Sequence, residues 1–578
     1  MTESSAARAS DATGAPVTSA NAAELVLLGG PCYTADAARS WTSGVAVREG
    51  MITALGERDA RAAVGPGTRV VDLAGRLALP GFIDAHVHPV FGGAERLRCD
   101  LTGSRDADET VARVAAYAAA NPRVPWIVGG GWSMDQFPGA APGRELLDAV
   151  VPDRPVFLLN RDHHDGWANS AALRAAGVDR DTPDPVGGRI VRGADGEPGG
   201  TLNEEAANLV GRHAPRLSED DYVEALLEGQ RYLHSFGVTG WQDAIVGGYL
   251  GYDDILPAYL RAAREGLLTG HVTGALWWDR NRGMEQIGDL LARRDAAEAL
   301  ALRRGVDGAA GRGRFTAGTV KIMQDGICEN LTAAMLGPYY DGAGQATNNH
   351  GHSYLDAALL AEVVTRLDAL GFQVHVHAIG DRGVREALDA CQAARTDNGP
   401  TGNRHHIAHL QVVHPQDIPR FRELGVTANM QALWAADDTQ MRALNEPVLG
   451  AERYGWQYPF ETLRRDGAAL AAGSDWPVST PDPLQAVHVA VNRTVPGAPT
   501  GTPPFLPDQA LALGDTLAAY TIGSARVCGA DGWTGTLQVG KRADIAVLDR
   551  DVFAAPRSEI AAARTVLTIA AGRVVYEA

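Results

Sequence analysis

The chain has 578 residues, of which 45% are hydrophobic and 21% charged, and 70 acidic against 52 basic side chains give a net charge of −18. This length exceeds one ordinary core, although an α/β barrel alone reaches about 250 residues or more. The acidic balance argues against nucleic acid or an anionic membrane as a partner, since both need a basic surface. No apolar run reaches the roughly 20 residues that cross a bilayer.

The start of the chain and the cysteines indicate the compartment. Residues 1–21 are rich in Ala, Ser and Thr and lack the basic start and apolar core of a secretory signal, so we interpret them as a disordered tail. The five cysteines are scattered, with no C-x-x-C pair, which fits a reducing compartment. The sequence therefore predicts a cytoplasmic protein.

Both ends of the chain carry short strand-like runs. Residues 22–79 alternate apolar and polar side chains around a turn at Arg48-Glu49-Gly50, and residues 515–578 contain a second set of such runs. Neither end has enough strands to bury a sheet face alone. We therefore expect one small β-sandwich assembled from both termini.

Between these ends, residues 80–514 alternate apolar strands with amphipathic helices, a rhythm typical of a parallel sheet or (β/α)8 barrel. The first strand ends in His86-Val87-His88. On an extended strand, side chains two residues apart share a face, so both imidazoles project together. Imidazole is a common ligand for Zn, Fe, Ni or Cu. Alone this pair is a weak indication, because surface histidines at this spacing are common.

Four later strands also end in ligand-type side chains. Lys321 lies in an apolar run, where it either reaches the rim or, desolvated, reacts as a neutral amine with carbon dioxide to form a metal-bridging carbamate. His377, which shares a face with His375, and His409 are the terminal histidines of their strands. A lone Asp475 would be a helix N-cap, but in this company we interpret it as a metal ligand and proton acceptor. Barrel strand ends converge, so the set predicts one metal centre.

With these motifs the chain resembles the amidohydrolase superfamily, and more narrowly its subgroup that includes N-substituted formamide deformylases. The resemblance implies a TIM barrel carrying a small β-sandwich built from both termini, in agreement with the strand patterns. The motifs are L-P-G-F-I-D-A-H-V-H (79–88), V-K-I-M-Q-D-G (320–326), H-A-I-G-D-R (377–382), A-A-G-S-D-W-P-V (471–478) and V-G-K-R-A-D-I-A-V-L-D (539–549), with the subgroup-like G-G-G-W (129–132), D-H-H-D-G-W (162–167) and N-M-Q-A-L-W (429–434).

The resemblance also implies the cofactor and the site residues. It implies one or two Zn²⁺ ions, or another divalent metal, with the ligands His86, His88, Lys321, His377, His409 and Asp475. In that pattern a carboxylated Lys321 bridges two ions and Asp475 shuttles protons, which makes these two the catalytic residues. Four further positions are expected to face the substrate: Trp132, His164, Asp325 and Trp434. Core packing of Trp132 and a loop-stabilising hydrogen bond of His164 are equally open.

The apolar runs before Lys321 outnumber the strands that the resemblance places there. Residues 100–200 are therefore expected to contain an insertion, whose glycine- and proline-rich segment 183–200 forms a hairpin over the barrel mouth. The relatives implied by the resemblance are often dimers, so a homodimer is expected.

The implied activity is metal-dependent hydrolysis of a C–N bond in a small amide, N-substituted formamide or carbamate by a metal-activated hydroxide. Two alternatives stay open. A mononuclear deaminase of the same superfamily typically carries H-A-x-E after the fifth strand, where this chain has Gly380. A non-catalytic relative would keep the barrel for assembly but lose metal ligands, whereas this chain keeps all six. The sequence does not name the substrate.

Overall fold

The computed structural model describes residues 22–249, 252–303 and 314–578. The predicted disordered tail, residues 1–21, lies outside these ranges. Among the described helices, none combines the length and the apolar character needed to cross a bilayer.

The described chain begins with strands of a sheet. A two-residue turn joins the second and third strands, where Glu49 and Gly50 both have positive φ (53° and 77°). Such turns match the twist of the strands they connect. The elements are β1 (Leu25–Tyr33), β2 (Trp41–Arg48), β3 (Met51–Leu55), α1 (Glu57–Ala62), β4 (Arg69–Asp72) and β5 (Ala78–Pro80).

The barrel opens with β6 (Phe82–Val87), whose six residues are all buried, as in a strand covered on both faces. Helix α2 (Pro89–Arg96) follows it. The chain then leaves the barrel and builds a separate six-stranded sheet before returning. This excursion contains β7 (Cys99–Asp100), α3 (Ala107–Ala120), β8 (Ile127–Trp132), α4 (Arg144–Asp148), β9 (Val156–Asn160), β10 (Asp165–Ala168), α5 (Ser170–Ala176), β11 (Gly188–Arg192), β12 (Pro198–Glu204) and α6 (Ala207–Gly211).

The strands of this sheet lie in the order β11-β12-β10-β9-β8-β7. Two of them, β8 and β9, are parallel and as apolar as barrel strands. The hairpin of β11 and β12 is antiparallel and ends at Glu204, whose side chain reaches the barrel through His164. The sheet thus covers one side of the barrel mouth.

Seven further strands complete the barrel. They are β13 (Val238–Val246), β14 (His271–Trp277), β15 (Arg314–Met323), β16 (Gln373–Ala378), β17 (His406–His409), β18 (Thr427–Met430) and β19 (Leu470–Ala472). All pair in parallel in the order β19-β18-β17-β16-β15-β14-β13-β6. The loop after the last strand joins the end of the first through two backbone hydrogen bonds, from Asp475 N to His86 O (2.7 Å) and from His88 N to Trp476 O (2.8 Å). The predicted eight-stranded barrel is confirmed.

Helices cover the outside of the barrel and connect its strands. The helix that begins at Glu219 has a reciprocal N-terminal cap. The side chain of Ser218 accepts a hydrogen bond from Asp221 N, and the Asp221 carboxylate accepts one from Ser218 N. The helices are α7 (Glu219–Ser235), α8 (Leu256–Glu265), α9 (Ile287–Arg303), α10 (Ala357–Ala369), α11 (Asp381–Asn398), α12 (Ile418–Leu424), α13 (Glu446–Tyr454), α14 (Phe460–Asp466), α15 (Pro483–Asn492), α16 (Leu513–Ala518) and α17 (Ser524–Val527).

The chain ends in the sheet where it began. Strands β20 (Ile545–Leu548), β21 (Thr565–Ala570) and β22 (Arg573–Glu577) extend it to the order β22-β21-β20-β5-β1-β2-β3, with β4 paired to β1. Within the sheet the strands of the two termini join through the antiparallel pair of β20 and β5, and backbone hydrogen bonds such as Ile52 N to Lys541 O (2.8 Å) link the termini further. The prediction of a β domain assembled from both chain ends is confirmed.

Candidate metal centre and active site

The carboxyl ends of the barrel strands enclose a small cavity of about 40 Å³. The strand ends of β6, β15, β16 and β17, and the loop after β19, each contribute side chains to it. Every one of the six predicted ligands is at most 7% exposed. The residues that line it include His86, His88, Lys321, His377, His409 and Asp475.

Three of these side chains form a compact group. The ligand atoms of His86, His88 and Asp475 lie within 4.8 Å of one another. Asp475 Oδ1 is 2.9 Å from His88 Nε2 and 3.2 Å from His86 Nε2. Burial alone would raise the pKa of Asp475, but the two histidines hold it well below its usual range. Burial also lowers the pKa of His86 to about 3, so a neutral imidazole faces an ionised carboxylate, the forms that bind metals.

The opposite wall of the cavity contains His377, His409 and Lys321. The His377 and His409 rings are 4.3 Å apart between centroids, and His409 Nδ1 lies 3.9 Å from Asp475 Oδ2. Neither ring nitrogen of His409 has a hydrogen-bond partner in the described part of the chain, although both are buried. Such groups cost free energy unless a partner satisfies them. A cation in this cavity supplies that partner, so the residues present fit a metal site.

The backbone of this region is held in an unusual conformation. Four non-glycine residues at the site have φ in the left-handed region: His163 (58°), Glu204 (51°), His409 (79°) and Asp475 (57°). Residues held in this way cost on the order of 1–3 kcal/mol each and cluster at functional sites. Hydrogen bonds to the backbone hold two of them, from His409 N to Gln431 Oε1 (2.6 Å) and from Asp475 N to the β6 strand.

Buried neighbours fix the orientation of the candidate ligands. His375 Nε2 lies 2.9 Å from His86 Nδ1, which leaves His86 Nε2 facing Asp475. Asp84 accepts hydrogen bonds from Ser474 N (3.0 Å) and Ser474 Oγ (2.6 Å), and so fixes the loop that carries Asp475. Contacts of this kind set the tautomer and the ring orientation of metal-binding histidines.

Replacing His375 with Ala is therefore expected to lower the affinity for the metal about 10- to 100-fold, because His86 loses the contact that orients its ring. Competition with a chromophoric chelator measures this affinity. The matched control is His405→Ala, which removes a histidine that contacts Asp368 and Val374 N and does not line the cavity. Equal affinities in a folded His375→Ala variant and in wild type would contradict the role.

Two of the four predicted substrate-facing residues line the wider cleft outside the cavity. This cleft has a volume of about 300 Å³ and shares His164, His377, His409 and Asp475 with the cavity. The ring of Trp434 stacks on His409 at 5.4 Å between centroids, with 7° between the planes. Burial disfavours a charged His164, but Glu204, with both oxygens 3.0 Å from His164 Nδ1, raises its pKa to about 9.

The other two residues lie elsewhere: the expectation for Asp325 needs correction, and for Trp132 the structure has the core packing that the sequence left open. Trp132 is fully buried in the insertion sheet, where its Nε1 donates to Leu158 O (3.0 Å), so it packs the core of that sheet. Asp325 is fully buried behind His377, and its carboxylate accepts hydrogen bonds from the backbone of Ala334, Ile379 and Gly380. Its side chain ties the loop after β15 to the end of β16. Neither residue lines the cavity or the cleft.

Because Trp132 is a core residue, its replacement by Ala is expected to cost about 3–5 kcal/mol of unfolding free energy. Urea unfolding followed by circular dichroism measures this change. Trp434→Ala, at a half-buried position on the cleft wall, is the control and should cost less. If Trp132→Ala instead kept full stability and changed only substrate affinity, its placement in the core would be contradicted.

One cavity residue, His163, and two carboxylates behind the cavity wall, Glu95 and Glu204, were not predicted from the sequence. His163 lines the cavity, and its Nε2 lies 2.8 Å from Oε1 of the buried Glu95. Glu204 holds His164. The sequence did contain a signal for Glu95. It is an acidic residue within an apolar run, and an acidic side chain is seldom fully buried without a partner. For Glu204 the sequence contains no comparable signal.

Comparison with known proteins agrees with this geometry. The sequence model of the Amidohydrolase family matches residues 69–576. The chain belongs to the amidohydrolase family. Protein LONG AFTER FAR-RED 3 of Arabidopsis thaliana is 31% identical to it over 567 residues, covering 96% of this chain and 92% of the relative. N-substituted formamide deformylase of Arthrobacter pascens is 28% identical over 573 residues, covering 96% and 98%.

A solved structure resembles this amidohydrolase along nearly its whole length. An uncharacterized metal-dependent hydrolase from Pyrococcus horikoshii OT3 superposes with a TM-score of 0.70 at 26% identity, covering 92% of this chain and 99% of that one. The family and these relatives make the protein a hydrolase that acts on carbon–nitrogen bonds. The histidine and carboxylate group at its centre is a site for a divalent metal.

Proposed function

We propose that this amidohydrolase cleaves the C–N bond of a small amide, N-substituted formamide or carbamate with the help of Zn²⁺. The observation that carries the proposal is the convergence of six buried ligand-type side chains, from separate strand ends, on one cavity of about 40 Å³. The imidazole-rich donor set suits zinc. The similarity to a formamide deformylase, over 96% of the chain, supports the choice of bond.

The residues that hold the ion are His86, His88, Lys321 after carboxylation, His377, His409 and Asp475. Burial lowers the pKa of Lys321 to about 7, so a neutral amine is available for attack on carbon dioxide, and loss of a proton leaves the carbamate anion. A divalent cation at these residues would lower the pKa of water and would polarise the substrate carbonyl.

Asp475 carries the proton transfers. Its carboxylate is ionised and lies at the junction of the cavity and the cleft. It accepts the proton of the attacking water and returns it to the leaving nitrogen, first as general base and then as general acid.

His164 stabilises the charge that develops on the carbonyl oxygen. Glu204 binds Nδ1 and keeps the imidazole protonated, whereas Nε2 has no partner among the described residues and lies on the lining of cavity and cleft. A fixed cationic donor at an oxyanion is a strong contribution in a site from which water is excluded.

Metal removal and a substrate screen test the proposal. The protein stripped by chelation should hydrolyse no N-substituted formamide, amide or carbamate, and Zn²⁺ should restore activity towards at least one class. Full activity in metal-free protein would refute the proposal. Release of ammonia from an amino-substituted ring, without amide cleavage, would indicate the deaminase alternative, and bound metal without turnover of any compound would favour the non-catalytic one.

A further inference from the structure

The outer part of the cleft is acidic. Beyond the candidate metal ligands, Asp162, Glu329 and Asp438 line it, together with two cations, Arg161 and His164, of which His164 is paired with Glu204. Arg161 Nε lies 3.6 Å from Asp162 Oδ1, and its guanidinium also donates to Gln440 Oε1. The arginine is therefore already engaged, and the cleft retains an excess of negative charge.

Glu329 is the carboxylate with the least compensation. Its Oε1 accepts hydrogen bonds from Asn445 Nδ2 (3.0 Å) and Gln440 Nε2 (3.4 Å), but no cationic side chain of the described chain lies within 4 Å of it. Burial raises the pKa of Glu329, and burial likewise raises that of Asp438. A partly desolvated carboxylate without a counter-charge is unfavourable, and a ligand cation would relieve it.

Tyr458 is an independent sign of a ligand. It lines the same cleft with only 2% of its surface exposed, and its hydroxyl has no hydrogen-bond partner in the part of the chain that the structure describes. Buried tyrosine hydroxyls normally find a partner. The backbone of Tyr458 also has a positive φ (46°), held by a hydrogen bond from its N to Gln411 O (2.8 Å). The hydroxyl is thus available to a group bound in the cleft.

The spacing of these groups favours an organic cation over a second metal site. In the described residues, the set of side chains close enough to hold an ion together is His86, His88 and Asp475, and the outer carboxylates are not part of such a set. A primary ammonium has three donors and can satisfy carboxylates and a hydroxyl that lie further apart. The overall charge of −18 adds long-range attraction for cations.

We propose that the outer cleft, formed by Glu329, Asp438 and Tyr458, binds a primary ammonium group of the substrate. The preferred substrates are then amides that carry a second, protonated amine, such as monoacylated diamines. This assignment rests on the proposed amide hydrolysis, since it places the ammonium in the cleft while the scissile bond lies at the cavity.

Binding without turnover tests the assignment directly. The probes are N-methanesulfonyl-1,5-diaminopentane, which carries an ammonium, and N-pentylmethanesulfonamide, which lacks it, because sulfonamides resist hydrolysis. Calorimetric titration of the zinc-loaded wild-type protein should show at least tenfold tighter binding of the cationic probe. Glu329→Gln should reduce that preference at least fivefold. The matched control Glu446→Gln removes the same charge from an exposed position outside the cleft and should keep it.

Turnover of the corresponding formamides separates this assignment from the proposed function. Equal or tighter binding of the neutral probe, or an unchanged preference in Glu329→Gln, would overturn the ammonium site even if formamides are hydrolysed. A cationic preference that Glu329→Gln removes supports the site, and absence of formamide hydrolysis in the same preparation would then count against the reaction alone. A Tyr458→Phe variant with wild-type melting temperature should weaken the cationic probe more than the neutral one.

Discussion

Replacing Asp475 with Asn is expected to lower kcat for the best substrate of the screen by about 10²–10⁴-fold, because the variant cannot accept and return a proton. Asparagine has nearly the same shape and, like aspartate, tolerates the left-handed conformation in which Asp475 is held (φ 57°). The backbone bond to His86 O does not involve the side chain and should persist. Steady-state kinetics of the zinc-loaded variant measure the change.

The control for this prediction is Asp482→Asn. Asp482 is also buried, and its carboxylate caps α15 by accepting from Leu484 N (3.0 Å), a role that asparagine fills equally well. Its kcat should equal that of wild type. Metal content must be measured for Asp475→Asn as well, because a variant that has lost its zinc reports on binding and not on proton transfer. An Asp475→Asn variant that keeps both its zinc and more than a tenth of the activity would contradict the proton-transfer role.

The architecture could be predicted largely because the chain repeats simple local patterns. Apolar runs separated by amphipathic helices require a parallel sheet, and short terminal strands with too little area of their own must join. The periodicity of apolar residues could not distinguish β8 and β9 from the barrel strands, since all of these strands are buried on both faces. Which sheet an apolar strand joins depends on distant partners, here β7 and β10, and not on its own residues.

Convergence of the six ligand-type residues was predictable for a related reason. Each lies within or just after the carboxyl-terminal part of a buried strand, and the ends of parallel barrel strands must meet at one rim. The residues that position them were not predictable, because their partners are remote in the sequence. His375 contacts His86 across the barrel, and Glu204, at the end of β12, contacts the cleft residue His164, which lies 40 positions earlier in the sequence.

Trp132 and Asp325, which line neither the cavity nor the cleft, show the same limit. The position of Trp132 in the family motif predicted a place at the substrate. A side chain at Gly129 would instead lie 2.1 Å from Cys99 O, so glycine is needed because β7 and β8 pack closely, and Trp132 continues that buried strand. Asp325 stands at a strand end like the ligands, but the backbone N–H groups of Ala334, Ile379 and Gly380 occupy its carboxylate. A sequence motif does not reveal such loop closure.

The sequence left two interpretations of Lys321 open: a side chain that reaches the solvated rim, or a carbamate that binds the metal. A single substitution distinguishes between them. Its side chain lines the small cavity and is 2% exposed, so it does not extend to a solvated rim. If it serves as a carbamate ligand, Lys321→Met should lower both the zinc content and kcat, the latter at least about 100-fold, the upper end of losses seen for residues around a metal. Atomic absorption and steady-state kinetics measure the two quantities.

The stability of Lys321→Met should not fall along with its zinc content and kcat. A variant that loses activity but keeps its stability is not simply misfolded. Methionine has a similar length and removes a buried amine that is costly to charge, so the metal-free variant should unfold with equal or higher free energy, by up to about 4 kcal/mol. The control Lys541→Met removes a lysine that donates to Asp531 O and Thr534 O in the terminal region, and its kcat should remain that of wild type.

Carbon dioxide provides the decisive measurement. Metal-free wild-type protein loaded with Zn²⁺ in buffer depleted of carbon dioxide should recover little activity, and bicarbonate should then restore it, because the amine of Lys321 becomes an anionic ligand only after carboxylation. Lys321→Met should gain nothing from bicarbonate. Full recovery of the wild type without carbon dioxide would show that the ion is held without the carbamate, and the centre would then be mononuclear on the side of His86, His88 and Asp475.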